Sequence, residues 1–170
     1  MGQEYLHLEH GFAPVVDENC RILILGSFPS VKSRENGFYY GHPSNRFWKV
    51  LAAVLEMDVP GTIEEKKVFL LSHHIALWDV IFSCDIRGSS DAHIRNAVPQ
   101  DIPGLLQRAP IQAIFCNGAT AERLYTKYCF QQTGISAHKL PSTSPANAVM
   151  TLEKLIPVWK EAILPFLCEM

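Results

Sequence analysis

The chain has 170 residues, 48% of them apolar and 19% charged, with a formal net charge of −2. That length suits one domain with a sizeable core, and the near-neutral balance means that no global basic field announces a nucleic-acid partner. The five cysteines are odd in number and no two lie within four residues, which argues against a disulfide framework, zinc or iron–sulfur ligation. No apolar run approaches the about 18 residues of a membrane span, and the N-terminus lacks a signal-peptide layout, so a cytoplasmic protein is expected.

In chain order, residues 1–20 are polar and irregular and predict a surface strap. Arg21 to Leu25, RILIL, is a branched apolar run ended by Gly26 and predicts a strand buried on both faces. A long loop follows, carrying the aromatics Phe38, Tyr39 and Tyr40 beside Lys32, Arg34, Arg46 and Lys49. Between Gly26 and Val50 four basic residues face one acid, Glu35, a local net of +3. Aromatics stack on bases and cations meet phosphates, so this stretch is compatible with DNA, although composition alone favours an ordinary solvated loop. Asn45 opens a helix to about Glu56, with the side chain of a preferred N-cap. Thr62 with Glu65 is a capping box that starts a second helix, ending near His73. His73 and His74 are adjacent and do not share a helix face, so they make a poor metal pair.

Ile75 to Phe82, IALWDVIF, predicts a second strand. Its Asp79 is an acid in an apolar context, either a paired structural carboxylate or a site residue. Cys84 to Val98 predicts a loop with a short helix capped by Ser90 or Asp91, and Pro103 to Arg108 a helical piece preceded by Asp101. Ile111 to Cys116 predicts a third strand and Ala119 to Phe130 a helix. Ser136 to Leu140 predicts the fourth strand, which runs into Pro141 to Asn147 and a long last helix that Pro157 must kink or restart. Strands alternating with helices imply a mostly parallel four-stranded sheet covered on both faces, a three-layer α/β/α sandwich spanning residues 1–170 as a single domain. Gly26–Ser30, Asn117-Gly118 and Pro141–Asn147 then gather at the C-terminal edge of the strands, the usual ligand site of such a sheet.

Those three segments carry a resemblance. GFYYGHPSNRFWKVL resembles the HPxNRFWKV stretch of the mismatch-specific uracil-DNA glycosylases. GSFPS sits where the uracil-DNA glycosylase superfamily has its water-activating motif, and LPSTSPAN where it has its DNA-wedge loop. The combination of GSFPS, NRFW, LWDV, RGSSD, NG and STSPAN, over roughly residues 21–160, is most similar to the hypoxanthine-DNA glycosylase branch, which excises deoxyinosine. The chain departs from the classical pattern: Phe28 fills the slot of the motif-one Asp or Asn, and Ser142 or Thr143 stands where uracil enzymes carry a catalytic His.

The resemblance implies a hydrolase that extrudes a deaminated base from DNA; no lysine is clearly placed as a Schiff-base nucleophile, so a monofunctional enzyme is expected, a monomer without cofactor, metal or membrane. It assigns the catalytic role to Asn45, which is equally a plain helix cap. Tyr40 matches the aromatic that stacks on the extruded base and is otherwise a half-buried tyrosine. Phe28 and Ser27 would line the same pocket, with core packing as the alternative for Phe28. Asn117 matches a base-reading Asn, and Asn-Gly is also a turn. Ser30, Ser142 and Ser144 suit phosphates, Lys32 and Thr143 are further DNA-binding residues, and Pro145-Ala146 would enter the gap left by the base. A uracil or mismatch glycosylase and a non-catalytic nucleic-acid-binding module are the alternatives. A Rossmann enzyme is disfavoured because neither GxGxxG nor GxxxxGK[ST] occurs.

Overall fold

The computed structural model describes residues 4–87 and 94–167. The expected helix cap at Ser90 or Asp91 lies outside the described residues. The central sheet runs β3 (Ile75–Asp79), β2 (Ile22–Gly26), β6 (Ala113–Asn117), β7 (Ala137–Leu140), all parallel. Strand β2 is buried at every position because it has a neighbour on each edge and a layer on each face. Its alternation splits the core. Ile22 and Ile24 pack with Phe115 against α2 (Phe47–Leu55), α3 (Ile63–Ser72) and α7 (Leu152–Leu167), through side chains such as Val50, Phe69 and Trp159. Leu23 and Leu25 pack with Ile114 and Cys116 against α4 (Ile102–Leu106) and α5 (Ala119–Tyr128). A fully buried Leu or Ile is worth about 1.5–3 kcal/mol of apolar transfer, so these two layers hold the sheet in place.

The second layer also contains an antiparallel sheet, β1 (Leu6–Glu9), β4 (Ile81–Ile86) and β5 (Arg95–Pro99), in the order β1-β4-β5. Two expectations are corrected by it. Residues 4–20, the described part of the expected strap at 1–20, are not irregular throughout: β1 pairs with β4, and Val15 bridges Leu77 in both directions at 2.9 Å. Ile75 to Phe82 is not one strand. The chain turns at Val80, whose N–H donates to Gly26 O (2.8 Å), while Ile81 N donates to Ser27 O (3.1 Å). Asp79 therefore ends a parallel strand beside Gly26, its register partner.

The long loop after β2 holds a helix that was not expected, α1 (Val31–Asn36). Ser30 Oγ accepts from Ser33 N at 3.2 Å, and Gly37 ends the helix at φ 71°, a conformation open to glycine at no steric cost. The Thr62 capping box forms as expected, with Thr62 Oγ1 accepting from Glu65 N and donating to Glu65 Oε1, both at 3.0 Å. Helix α7 continues through Pro157 and Pro165 without a restart. The remaining helical piece, α6 (Phe130–Thr133), closes the turn before β7. Among the described residues no helix is long and apolar enough to cross a membrane.

Candidate active site

The C-terminal edge of the parallel sheet opens into a cleft of about 1070 Å³, lined by the loops after β2, β6 and β7. That volume is at the upper end of ordinary ligand sites, about 300–1,000 Å³, and suits a nucleotide better than a small metabolite. Asn45, Tyr40, Ser27, Phe28, Asn117, Ser30, Ser142, Thr143, Ser144, Pro145 and Ala146 all line it. Lys32 does not: it sits on the exposed side of α1, 3.5 Å from Glu35.

The three loops are tied together at one buried side chain. Thr143 has no solvent exposure. Its backbone N–H donates to Asn117 Oδ1 (3.1 Å), its Oγ1 accepts from Asn117 Nδ2 (3.0 Å), and its hydroxyl donates to Asn45 Oδ1 (2.8 Å). Asn45 Oδ1 accepts a second bond from Phe47 N at 3.0 Å. Asn45 thus satisfies a free N–H of the first turn of α2, although the helix begins one residue later than expected, with Arg46 at the cap position. Thr143, expected among the DNA-binding residues, lines the cleft but is buried, with its side chain bonded to Asn45 and Asn117. The base-reading expectation for Asn117 is narrowed, because Thr143 occupies its oxygen and one N–H. The loops can approach this closely because Gly118 (φ 99°) has no side chain: a Cβ there would lie 3.1 Å from Ser142 Cβ.

Arg46 was expected among the cations that meet phosphates, and the structure turns it inward. Its Nε donates to Thr143 O (3.3 Å), its NH2 group to Ser144 O (2.8 Å) and Asn147 O (3.2 Å), and its NH1 group to Met150 O. Asn147 Nδ2 adds a bond to Ser142 O at 3.1 Å. The loop carrying Pro145 and Ala146 is therefore held rigid from beneath, while both of those side chains stay exposed. Ser142 Oγ accepts from Ser144 N and Ser144 Oγ from Ala146 N, each at 3.1 Å. Each hydroxyl keeps its proton free to donate outward.

Phe38 and Tyr39, expected on the surface, are 4% and 1% exposed and belong to the core. Aromatic side chains bury 150–250 Å² each, and only Tyr40 of the three is half-exposed. Its ring stacks on Phe47 at 4.0 Å and 17° between planes, so one face is taken by the protein. Tyr40 also has φ 52°, a region that costs a bulky residue of order 1–3 kcal/mol and that clusters at functional sites. Phe28 lines the cleft and is also core, so both expected roles meet in one ring.

The floor of the cleft carries Asp79, the one carboxylate among its described lining residues. The expectation left open whether Asp79 is paired or a site residue; it is paired and lines the cleft. Its Oδ2 is 2.8 Å from His10 Nε2, and both side chains are nearly buried, 6% and 1% exposed. Its Oδ1 lies over Gly26, where an added Cβ would stand 2.4 Å from it and 3.0 Å from the Tyr40 hydroxyl. Gly26 is thus required by close approach rather than by turn geometry. Burial, followed by the charge of Asp79, pushes the Tyr39 phenol far above its usual range, so it remains a neutral donor to Ala13 O (2.9 Å). His10 was not singled out from sequence. The one signal available was its place beside aromatic Phe12, against which its ring packs at 4.5 Å. Among the described residues no group of three or more His, Cys, Asp or Glu is placed to hold a metal ion.

An open parallel α/β sheet with a cleft at its C-terminal edge, lined by an aromatic ring, a buried carboxylate and an exposed Pro-Ala loop tip, defines a ligand-binding α/β protein. Comparison with known proteins gives the family. The uracil DNA glycosylase superfamily matches residues 13–167, and the chain belongs to it. A hypoxanthine DNA glycosylase of Methanosarcina acetivorans is 36% identical over 142 residues, 82% of this chain and 89% of that one. A hypoxanthine DNA glycosylase of Methanosarcina barkeri is 35% identical over 156 residues, 91% of this chain and 97% of the relative. A solution NMR structure of a candidate uracil DNA glycosylase from Methanosarcina acetivorans superimposes with a TM-score of 0.76 at 32% identity, covering 92% of this chain and 98% of that one.

Proposed function

We propose that this DNA repair glycosylase removes hypoxanthine from deoxyinosine by hydrolysis. The observation that carries the reading is the convergence of a stacking ring (Tyr40), a buried carboxylate (Asp79) and a fixed amide (Asn45) on one cleft. Hypoxanthine presents an N1–H donor, whereas its parent adenine presents a bare N1 acceptor. A carboxylate at the floor accepts the first and repels the second. Sites that leave a buried polar group unpaired with the wrong substrate discriminate by about 10⁴–10⁵. Tyr40, which lines the cleft, is the ring that stacks on the extruded base.

In the reaction the oxygen of a water bonds to C1′, the C1′–N9 bond breaks, and its electron pair leaves with the base. The base takes up a proton from solvent and the water releases one, so the products are free hypoxanthine and an abasic site. Positive charge builds on the sugar and negative charge on the base, and a site of this kind works by positioning and electrostatics rather than by a strong base. Asn45 positions the water. Ser142 and Ser144 donate to phosphates, and Pro145-Ala146 fills the gap in the stack; the Ser30 hydroxyl, expected to act with them, donates to Ser33 Oγ at 3.2 Å.

The test is an excision assay on labelled duplexes containing one deoxyinosine, deoxyuridine or deoxyxanthosine, followed by alkali. Strand scission at deoxyinosine is expected. Scission at deoxyuridine alone would replace the proposal by a uracil enzyme, and scission at none would overturn excision altogether.

A further inference from the structure

We propose that Thr143 is a positioning residue that fixes the direction in which Asn45 acts, making Asn45 a hydrogen-bond donor toward the cleft. This rests on the reading of Asn45 as the water-positioning residue. The argument is one of polarity. A backbone N–H can only donate, so the Asn45 atom facing Phe47 N at 3.0 Å is the amide oxygen. By the same reasoning the Asn117 atom facing Thr143 N at 3.1 Å is its oxygen, and its Nδ2 is the donor to Thr143 Oγ1 at 3.0 Å. The hydroxyl of Thr143 has one proton. With Asn117 donating to Oγ1, that proton is free to go to Asn45 Oδ1, 2.8 Å away.

The chain of bonds therefore runs one way only, from Asn117 through Thr143 to Asn45. Rotating the Asn45 amide by half a turn would set its NH2 group against the Phe47 N–H, which can only donate, and lose that bond. The second lone pair of Thr143 Oγ1 could still accept from Nδ2, but the hydroxyl proton would then lose Asn45 Oδ1 as its acceptor at a side chain with no solvent exposure. Nδ2 is thus the part of Asn45 left for the cleft, which Asn45 lines. An N–H that donates to a lone pair of water holds it and leaves the other lone pair for C1′. It cannot take the proton of that water, so Asn45 positions and does not deprotonate. Thr143 itself is locked, because its carbonyl accepts from Arg46 N (3.1 Å) and Arg46 Nε (3.3 Å).

Thr143→Val and Thr143→Ser separate the hydroxyl from the methyl group. Thr143→Val keeps the shape and removes the relay; Thr143→Ser keeps the relay. On deoxyinosine duplexes the single-turnover rate of Thr143→Val should fall tenfold or more, and that of Thr143→Ser should stay within about threefold of wild type. Affinity for undamaged duplex should be unchanged in both. Equal losses in the two variants, or a folded Thr143→Val with the wild-type rate, would overturn the assignment. A measurement on the unaltered chain covers the case in which Thr143→Val does not fold. The Asn45 side-chain NH2, assigned by its loss in Asn45→Asp, should show an NMR order parameter near that of rigid backbone, about 0.85, and a value below about 0.6 would overturn the fixed direction. If the wild-type chain releases no base from deoxyinosine, the proposed function fails, while the order parameter still decides whether the relay exists.

Discussion

Replacing Asn45 by Asp changes almost nothing except the donor. The carboxylate keeps an oxygen for Phe47 N–H and for the Thr143 hydroxyl, the two bonds that Asn45 Oδ1 accepts. The first turn of α2 contains no acid, and a negative charge there is favourable by about 0.3–1 kcal/mol. The melting temperature of Asn45→Asp should therefore equal or slightly exceed that of wild type. What the variant lacks is the NH2 group turned to the cleft. Losing one such interaction in the transition state costs at least about 1.4 kcal/mol, or tenfold in rate. Asn45→Ala supplies the contrast. It loses the helix-start bond, about 1 kcal/mol, and strands the buried Thr143 hydroxyl, about 1–3 kcal/mol. The sum, about 2–4 kcal/mol, lowers the melting temperature of a chain this long by of order 10 °C. Single-turnover excision, measured well below both transitions, should show both variants slowed, and only Ala destabilised. A folded Asn45→Asp that excises at the wild-type rate would refute the donor role and leave Asn45 as a structural cap.

Three further outcomes follow from the same geometry. Asp79→Asn should slow deoxyinosine excision by ten- to a hundredfold, the value of a charge-assisted bond of about 1.5–3 kcal/mol, with undamaged duplex bound as before; an unchanged single-turnover rate would remove Asp79 from base reading. Arg46→Met removes four hydrogen bonds to carbonyls of the Pro145-Ala146 loop and should cost about 2–4 kcal/mol in urea titrations while exposing residues 144–150 to proteolysis; unaltered cleavage there would show that the loop is rigid without Arg46. Burial pushes the Cys116 thiol up to about 12 from 9.0, so the unfolded chain ionises first, and this contribution to stability is whole below about pH 9 and is lost as the pH rises toward 12; the stability gap between wild type and Cys116→Ala should shrink over that range, and a constant gap would contradict it.

The parts of the fold legible in the sequence are those written in local pattern. Ile22 to Leu25 had to be a doubly buried strand, Thr62 with Glu65 had to start a helix, and three polar segments had to meet at one sheet edge. What the sequence hid depends on partners far along the chain. Strand β1 has the pattern of an exposed segment and exists because β4 pairs with it. The corner at Val80 interrupts an apolar run that no periodicity divides, and it is made by hydrogen bonds to Gly26 and Ser27. Ser30 and Gly37 were fair signals for α1, but the six residues between them carry no apolar period to join them. In the cleft, residue types were read well and their jobs less so. Arg46 offers the same cation whether it meets phosphates or loop carbonyls, and only the path of residues 143–150 decides. His10 and Asp79 are 69 residues apart, a separation over which no spacing rule operates.

That last pair also accounts for Phe28. With a phenyl ring at the position after β2 where an acid or amide was expected, no carboxylate lines the cleft from that loop. The carboxylate comes from the neighbouring strand at the same level, because Gly26 and Asp79 are register partners and Gly26 has no side chain to fill the space between them. A carboxylate so placed is short of water, and a buried charge persists only when it is paired and hydrogen-bonded. His10 supplies the partner from the N-terminal segment, which is why that segment is stitched to the sheet edge through β1 and the Val15 bridge rather than left loose. The result is a cleft whose carboxylate sits at the floor and whose walls carry donors: Asn45 from the start of α2, Ser142 and Ser144 from the loop above. On the proposed function, a floor that accepts and walls that donate would match an extruded base with an N–H at its far edge and phosphates at its near end, and would mismatch a base whose far edge is bare of hydrogen.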